Sequence, residues 1–333
     1  MAVEHAGETK AVFSSAWAEC VGHGYGGQDR FSAAEEIENV LTELGVETVD
    51  LASYSYGATL ADTLISRRHI DVRRAVLDAY LGAEVPVQER AAMWTQAIEH
   101  EATRLESWCS EDEECTRLGI SSQLRDSGLN GFLQKTGRSR ATLGSTDEVV
   151  SQDLIHEATL ATLAHPHLRS TWAAAAAAAV NDGDGSGIYS LGMSSALGHD
   201  AGAYFGFLCA DLDLEGLGRG IESAASLSDT FLSWFAMCDV MSPVRPSADD
   251  EGPPASSGGQ GEQRTLILLM GATGDFLSPP AFSEDLEIDG ADVHRCIVEA
   301  AGHTSLQEPR SHDVQLEFLA TGALPQAQEG LCL

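Results

Sequence analysis

Residues 46–61, VETVDLASYSYGATLA, hold an apolar, β-branched run that stops at two serines and a glycine before a helical pattern resumes. VETVDLA has the make-up of a short buried strand. From Gly57 to about Arg68, Leu60, Leu64 and Ile65 recur at helical spacing, and RRAVLDAY (73–80) reads as the next strand. Upstream, Ser32 and Glu35 make an S-x-x-E capping box, Ile37, Val40, Leu41 and Leu44 follow at helical spacing, and Gly45 supplies a left-handed stop. The chain is thus expected to fold as an α/β protein, with Ser55 on a strand-to-helix turn. A tight turn there lifts a serine hydroxyl above the sheet edge as a nucleophile elbow, with Ser53 standing where G-x-S-x-G has its first glycine.

Beyond residue 82 the pattern changes. Residues 85–240 are mostly helical in composition, clearest in AAMWTQAIEHEATRLESW, SQDLIHEATLATLA and TWAAAAAAAV, which predicts a helical cap inserted between two strands. PVRPSADDEGPPASSGGQGEQ (243–263) has the composition of a flexible linker. RTLILLMG (264–271) is a buried strand, and DVHRCIVEA (292–300) is another. The expected organisation is a hydrolase core over 1–82, a cap over 83–242, the linker 243–263 and a second core segment over 264–333.

Each of the last two strands ends on a residue with chemistry. Asp275 follows the first, in GATGDFLSPP, and His303 the second, in AGHTS. The chain order Ser, Asp, His is that of an α/β-hydrolase triad. A serine hydroxyl needs a base within hydrogen-bond reach, and a histidine serves when a buried carboxylate fixes its tautomer. The expectation is therefore Ser55 as nucleophile, His303 as base then acid, Asp275 as its orienting carboxylate, and the Tyr56 N–H as an oxyanion donor. Asp285, Asp289 and Asp292 are rival carboxylates further from the strand end, on what reads as a following helix and loop. His294 lies within a strand, and His165, His167 and His199 in the cap, where structural or surface roles are the default. DGDGSG (182–187) opens like a calcium loop, but its twelfth position is Met193 and not Glu, which favours a Gly/Asp turn. HGYGG (23–27) looks like an oxyanion loop, yet only one helix separates it from the elbow strand. No cofactor or metal is expected.

The 51 acidic residues against 19 basic ones give a formal charge of -32, which would repel phosphate over most of the surface and excludes a nucleic-acid partner. A solvated acidic surface in a GC-rich genome accounts for it; a salty or extracellular habitat is the sharper alternative. No apolar run approaches the roughly 20 residues of a membrane helix, and MAVEHAGETK has neither the basic nor the apolar region of a signal peptide. The seven cysteines, Cys20, Cys109, Cys115, Cys209, Cys238, Cys296 and Cys332, contain no CxxC pair, which argues against zinc. Cys109 and Cys115 can close a small disulfide loop in an oxidising compartment.

Taken with Cys20, the stretches FSAAEEIENVLTELGVETVDLASYSYGATLA and VRRAVLDAYLG resemble the elbow region of the tripeptidyl-aminopeptidases, α/β-hydrolases related to the proline iminopeptidases. WCSEDEEC resembles that group's Trp-Cys cap segment, LCAD and Cys238 its paired cap cysteines, GATGDFLSPP and AGHTS its acid and histidine loops, and LATGALPQAQEGLC its ending. The resemblance implies an exported serine peptidase that releases residues or short peptides from free N-termini, with acidic cap residues holding the substrate ammonium. Glu99, Glu101, Glu106, Asp211 and Asp213 are available for that, though a solvated face explains each.

Relatives also carry, ahead of this region, a signal peptide, the first strands and an HGGPG-like loop that gives the second oxyanion donor. The expectations are an opening reading frame upstream of Met1 or, alternatively, a degenerate homologue. The group's cysteine shortly after its catalytic histidine is absent, with His312 nearby, which leaves Cys332 without its usual mate. Two further readings stay open: an esterase using the same triad on a small ester, and a truncated, non-catalytic hydrolase-fold protein. Oligomeric state is not legible.

Overall fold

A computed structural model of the chain describes residues 29–144, 146–193, 206–212, 214, 217, 225–241, 264–325 and 330–333. Cys20, HGYGG, His199, Asp213 and the 243–263 segment lie outside the described residues. The described chain divides into two compact units.

One unit carries the sheet and is built from residues up to Met93, residues 206–212 and the segment from Arg264 onward. Its elements are α1 (Arg30–Glu43), β1 (Thr48–Tyr54), α2 (Tyr56–Arg67), β2 (Asp71–Asp78), β3 (Thr265–Gly274) and β4 (Ala291–Ala301). The sheet is all parallel, in the order β1-β2-β3-β4, with Leu51 opposite Ala75, Ala75 opposite Ile267 and Leu269 opposite Arg295. From Leu266 to Gly271, LILLMG is without a polar side chain because helices cover both faces. Ala75, Leu77, Ile267 and Leu269 pack with Ala58, Ala61 and Ile65 of α2 on one face. The alternate residues Val76, Leu268 and Met270 pack with Cys296, Val298 and Phe318 on the other. That is the two-residue period of a strand with both faces buried.

The first helix starts earlier than the S-x-x-E pattern suggests. Asp29 is the N-cap, its carboxylate accepts from the Ser32 N–H at 2.8 Å, and Ser32 Oγ accepts from the Asp29 N–H at 3.0 Å. Ser32 is thus the third helical residue of a reciprocal box and not its cap. Gly45 takes φ 69° after the helix, as a left-handed stop requires.

At the far side of the sheet the chain end returns to β4. Leu333 N–H donates to the Ile297 carbonyl, Val298 bridges Cys332 antiparallel, and a Cys296–Cys332 disulfide fastens the return. Cys332 therefore has a mate, contrary to the sequence expectation; the partner lies in β4 and not after the histidine.

The other unit is helical: most of α3 (Val87–Glu111), then α4 (Glu113–Arg117), α5 (Ile120–Ser139, broken at Gly128), α6 (Gln152–Ala164), α7 (Arg169–Asn181), α8 (Ser186–Met193) and α9 (Leu227–Trp234). It is organised by aromatic pairs: Trp94 stacks on Phe235 at 4.7 Å, and Phe132 meets Trp172 edge-on. The alanines of α7 permit close helix packing; a side chain on Gly187 of α8 would lie 2.7 Å from Ala175 Cβ. Cys109 and Cys115 form a disulfide, and DGDGSG turns the chain from α7 into α8. Cys238 is in a disulfide as well, as is Cys209 of the sheet-bearing unit. No described helix is long and apolar enough to cross a membrane.

Candidate active site

β1 runs into α2 without a loop, and the junction is Ser55. The residue has φ 55° and ψ -128°, a left-handed conformation that a side chain disfavours. Its N–H donates to the Asp78 carbonyl at 2.8 Å at the end of β2, and its carbonyl accepts from Ala58 N–H at 2.9 Å. Those bonds hold the strained turn from both sides. Position 53 must stay small here: Ser53 is buried, and its hydroxyl donates to the Val76 carbonyl at 2.6 Å. Tyr56 opens α2, so its N–H is one of the helix donors without an intrahelical acceptor. The Tyr56 ring lies 5.2 Å from Phe207, and its hydroxyl donates to Asp211 at 2.5 Å. Asp211 also accepts from the Arg30 N–H at the start of α1, at 2.9 Å. Burial, then the negative charge of Asp211, push the Tyr56 phenol far up, so it stays a neutral donor. A structural role for Asp211, fixing the elbow tyrosine, was not foreseen from its place among the acidic residues after 85.

Asp275 follows β3 and is fully buried. Its carboxylate accepts from the N–H groups of Leu277 and Ser278, both at 3.0 Å, and of Thr304, at 3.1 Å. His303 follows β4, and its Nδ1 lies 3.0 and 2.9 Å from the two Asp275 oxygens. An ionised carboxylate only accepts, so Nδ1 carries the proton and the neutral ring keeps Nε2 as its basic nitrogen. Burial lowers the affinity of His303 for a second proton, but the charge of Asp275, the hydrogen bond to it and the charge of Asp78 outweigh burial and raise its pKa.

Asp275 and His303 are thus brought together. Among the described residues, Ser55 Oγ makes no hydrogen bond, to His303 or to any other group. Two of the three rival carboxylates are engaged elsewhere. Asp289 pairs with Arg68, and Asp292 lies within β4 and pairs with Arg264. The segment after β3 holds a single 3-10 turn, Pro280–Ser283, where the sequence suggested a helix. His294 sits in β4 as expected. Among the described residues there is no cluster of His, Cys, Asp or Glu that could hold a metal ion.

A parallel sheet with a strained serine elbow after one strand, an acid after the next but one, and a histidine after the last has the topology of the α/β-hydrolase fold. No protein-family model and no curated protein matches the chain. Solved structures similar to it include Est816, described as an N-acyl homoserine lactone degrading enzyme. It is 11% identical over 87% of this chain and 74% of that one, with a TM-score of 0.30. An epoxide hydrolase of the α/β-hydrolase superfamily from hot-environment metagenomes is 15% identical over 87% and 73%, with a TM-score of 0.30. The juvenile hormone epoxide hydrolase of the silkworm Bombyx mori is 13% identical over 89% and 59%, with a TM-score of 0.32. At these scores the likenesses say nothing about the site.

Proposed function

We propose that the protein is a serine hydrolase working through Ser55, His303 and Asp275, and that it is an exopeptidase acting on free N-termini. The observation that carries the reading is the left-handed Ser55 at a strand-to-helix junction, in the same sheet whose later strands present the Asp275–His303 pair. In this mechanism His303 Nε2 takes the Ser55 proton as Oγ attacks the scissile carbonyl. The Tyr56 N–H donates to the oxyanion, and His303 returns the proton to the leaving amine. Water then repeats the sequence on the acyl-enzyme. Asp275 keeps Nδ1 protonated and stabilises the imidazolium.

Peptidase specificity rests on the sequence resemblance in the elbow, acid and histidine segments. Action outside the cytoplasm is supported by the Cys109–Cys115 and Cys296–Cys332 disulfides, which persist in oxidising compartments. The test compares aminoacyl and tripeptidyl anilides, their N-acetylated counterparts, and short acyl esters. An exopeptidase cleaves the anilides with a free amine and loses activity on acetylation. Turnover of the esters alone would replace peptide by ester as substrate.

A further inference from the structure

The loop that carries His303 is strained. Gly302 has φ 89°, and Thr304, which has a branched side chain, has φ 70°. A branched residue held there is strained and persists only where neighbours fix it. The hydrogen bonds that do so come from two carboxylates. Asp275 accepts from the Thr304 N–H, on one side of the strained bond. On the other side stands Asp78, the last residue of β2, which is fully buried.

Asp78 Oδ1 accepts from the Ser305 N–H at 2.9 Å, and Oδ2 from the Ser305 hydroxyl at 2.7 Å. Oδ2 also accepts from Gln315 Nε2 at 3.0 Å, on the helix α10 (Pro309–Thr321) that follows the loop. Gln315 in turn takes the Tyr54 hydroxyl on its Oε1 at 2.6 Å. The backbone carbonyl of the same Asp78 holds the Ser55 N–H. One residue thus touches the elbow through its main chain and the histidine loop through its side chain. Because a carboxylate only accepts, it also sets the direction of the chain of donors Tyr54, Gln315 and Ser305.

We propose that Asp78 is a positioning residue that registers the His303 loop against the Ser55 elbow. The proposal rests on the serine hydrolase reading for its effect on rate, and on the contacts alone for its effect on the imidazole. The charges that bear on the His303 ring are those of Asp275 and Asp78, and Gln307 Nε2 donates to the His303 carbonyl at 3.2 Å; Tyr54 and Gln315 act through Asp78. Burial pushes the Asp78 carboxyl up by more than the Ser305 and Gln315 bonds lower it, so its pKa is raised.

The Asp78→Asn variant places an amide donor against Gln315 Nε2 or against the Ser305 donors, and removes a charge that acts on the imidazole. Two measurements follow on the full chain: the NMR titration midpoint of His303, and the rate at which a fluorophosphonate labels Ser55. The expected result is a lower His303 midpoint and labelling slowed roughly tenfold to a hundredfold, the scale of a small misplacement of reacting groups. Ser305→Ala, which keeps the charge and the Ser305 N–H bond, should slow labelling while leaving the midpoint in place. It serves as the second variant if Asp78→Asn does not fold. Unchanged labelling in a folded variant, or an unmoved midpoint in Asp78→Asn, overturns the proposal. A wild-type protein that is not labelled at all defeats the hydrolase reading instead, and the titration midpoint alone then decides the role of Asp78.

Discussion

Ser55 is one of the non-glycine residues, like Thr304, whose backbone works against the fold, and replacing it separates strain from contact. At φ 55° and ψ -128° the side chain is disfavoured, at a cost of about 1–3 kcal/mol. Ser55→Gly removes that cost and adds the entropy of a glycine, about 0.5–1 kcal/mol. The hydroxyl makes no hydrogen bond among the described residues, so nothing of that kind is forfeited. The balance is a gain of about 1 kcal/mol, or about 2–3 °C in the melting transition of the sheet-bearing unit. Ser55→Ala loses the same hydroxyl and keeps Cβ, so it should match the wild type within about 0.5 kcal/mol. Urea unfolding followed by far-UV dichroism reads both, provided the denaturant slope does not change. On the proposed serine hydrolase reading both variants lose the nucleophile, so Ser55→Gly should be inactive and yet more stable than the wild type. Ser55→Gly no more stable than Ser55→Ala would refute the claim that the elbow stores strain.

Four further outcomes follow. The acidic limb of kcat/KM should have its midpoint above 6.5, since the His303 pKa is raised and only the neutral ring accepts a proton. The stability contributed by the same group runs the other way: it is full below the ordinary histidine value and lost as pH rises through the raised one. Asp275→Asn should lower turnover by on the order of 10⁴-fold by freeing the tautomer, read from the hydrolysis of an anilide or ester substrate. Replacing Cys296 and Cys332 by Ser opens a loop with a sequence separation of 36 and should cost about 4 kcal/mol by chain entropy. Opening the Cys109–Cys115 loop, with a separation of 6, should cost about 2 kcal/mol; urea midpoints give both. In the helical unit, burial and then the charge of Asp153 push the Glu157 carboxyl up to about 7. A raised acid loses stability as pH climbs from its unfolded value to its folded one. Glu157→Gln should therefore recover up to about 3 kcal/mol at pH 8 and nothing at pH 4, measured by urea titration at the two pH values.

The sheet was legible because its strands carry continuous apolar runs ended by Ser, Asp or Gly. Leu268 and Met270 face one layer and Ile267 and Leu269 the other, so the run has no polar gaps to misread. The Ser55 turn was legible from a strand pattern switching to a helix pattern within three residues. The first helix cap was misplaced by three positions, because Ser32 and Asp29 each bond the other's N–H and a pattern of types cannot say which one leads. The partner of Cys332 was missed because pairing depends on the chain end turning back along β4, which spacing does not encode. Asp78 was passed over as an ordinary strand residue within VLDAY. Its signal was a lone carboxylate at the buried end of an apolar strand, a place where an unpaired charge would be prohibitive and a donor cluster must exist.

The central claim is tested most directly by treating the protein with a fluorophosphonate and mapping the adduct by peptide mass. The account predicts a single stoichiometric adduct on Ser55, absent from Ser55→Ala and much slowed in His303→Ala. An unlabelled Ser55, or labelling that does not depend on His303, would contradict it.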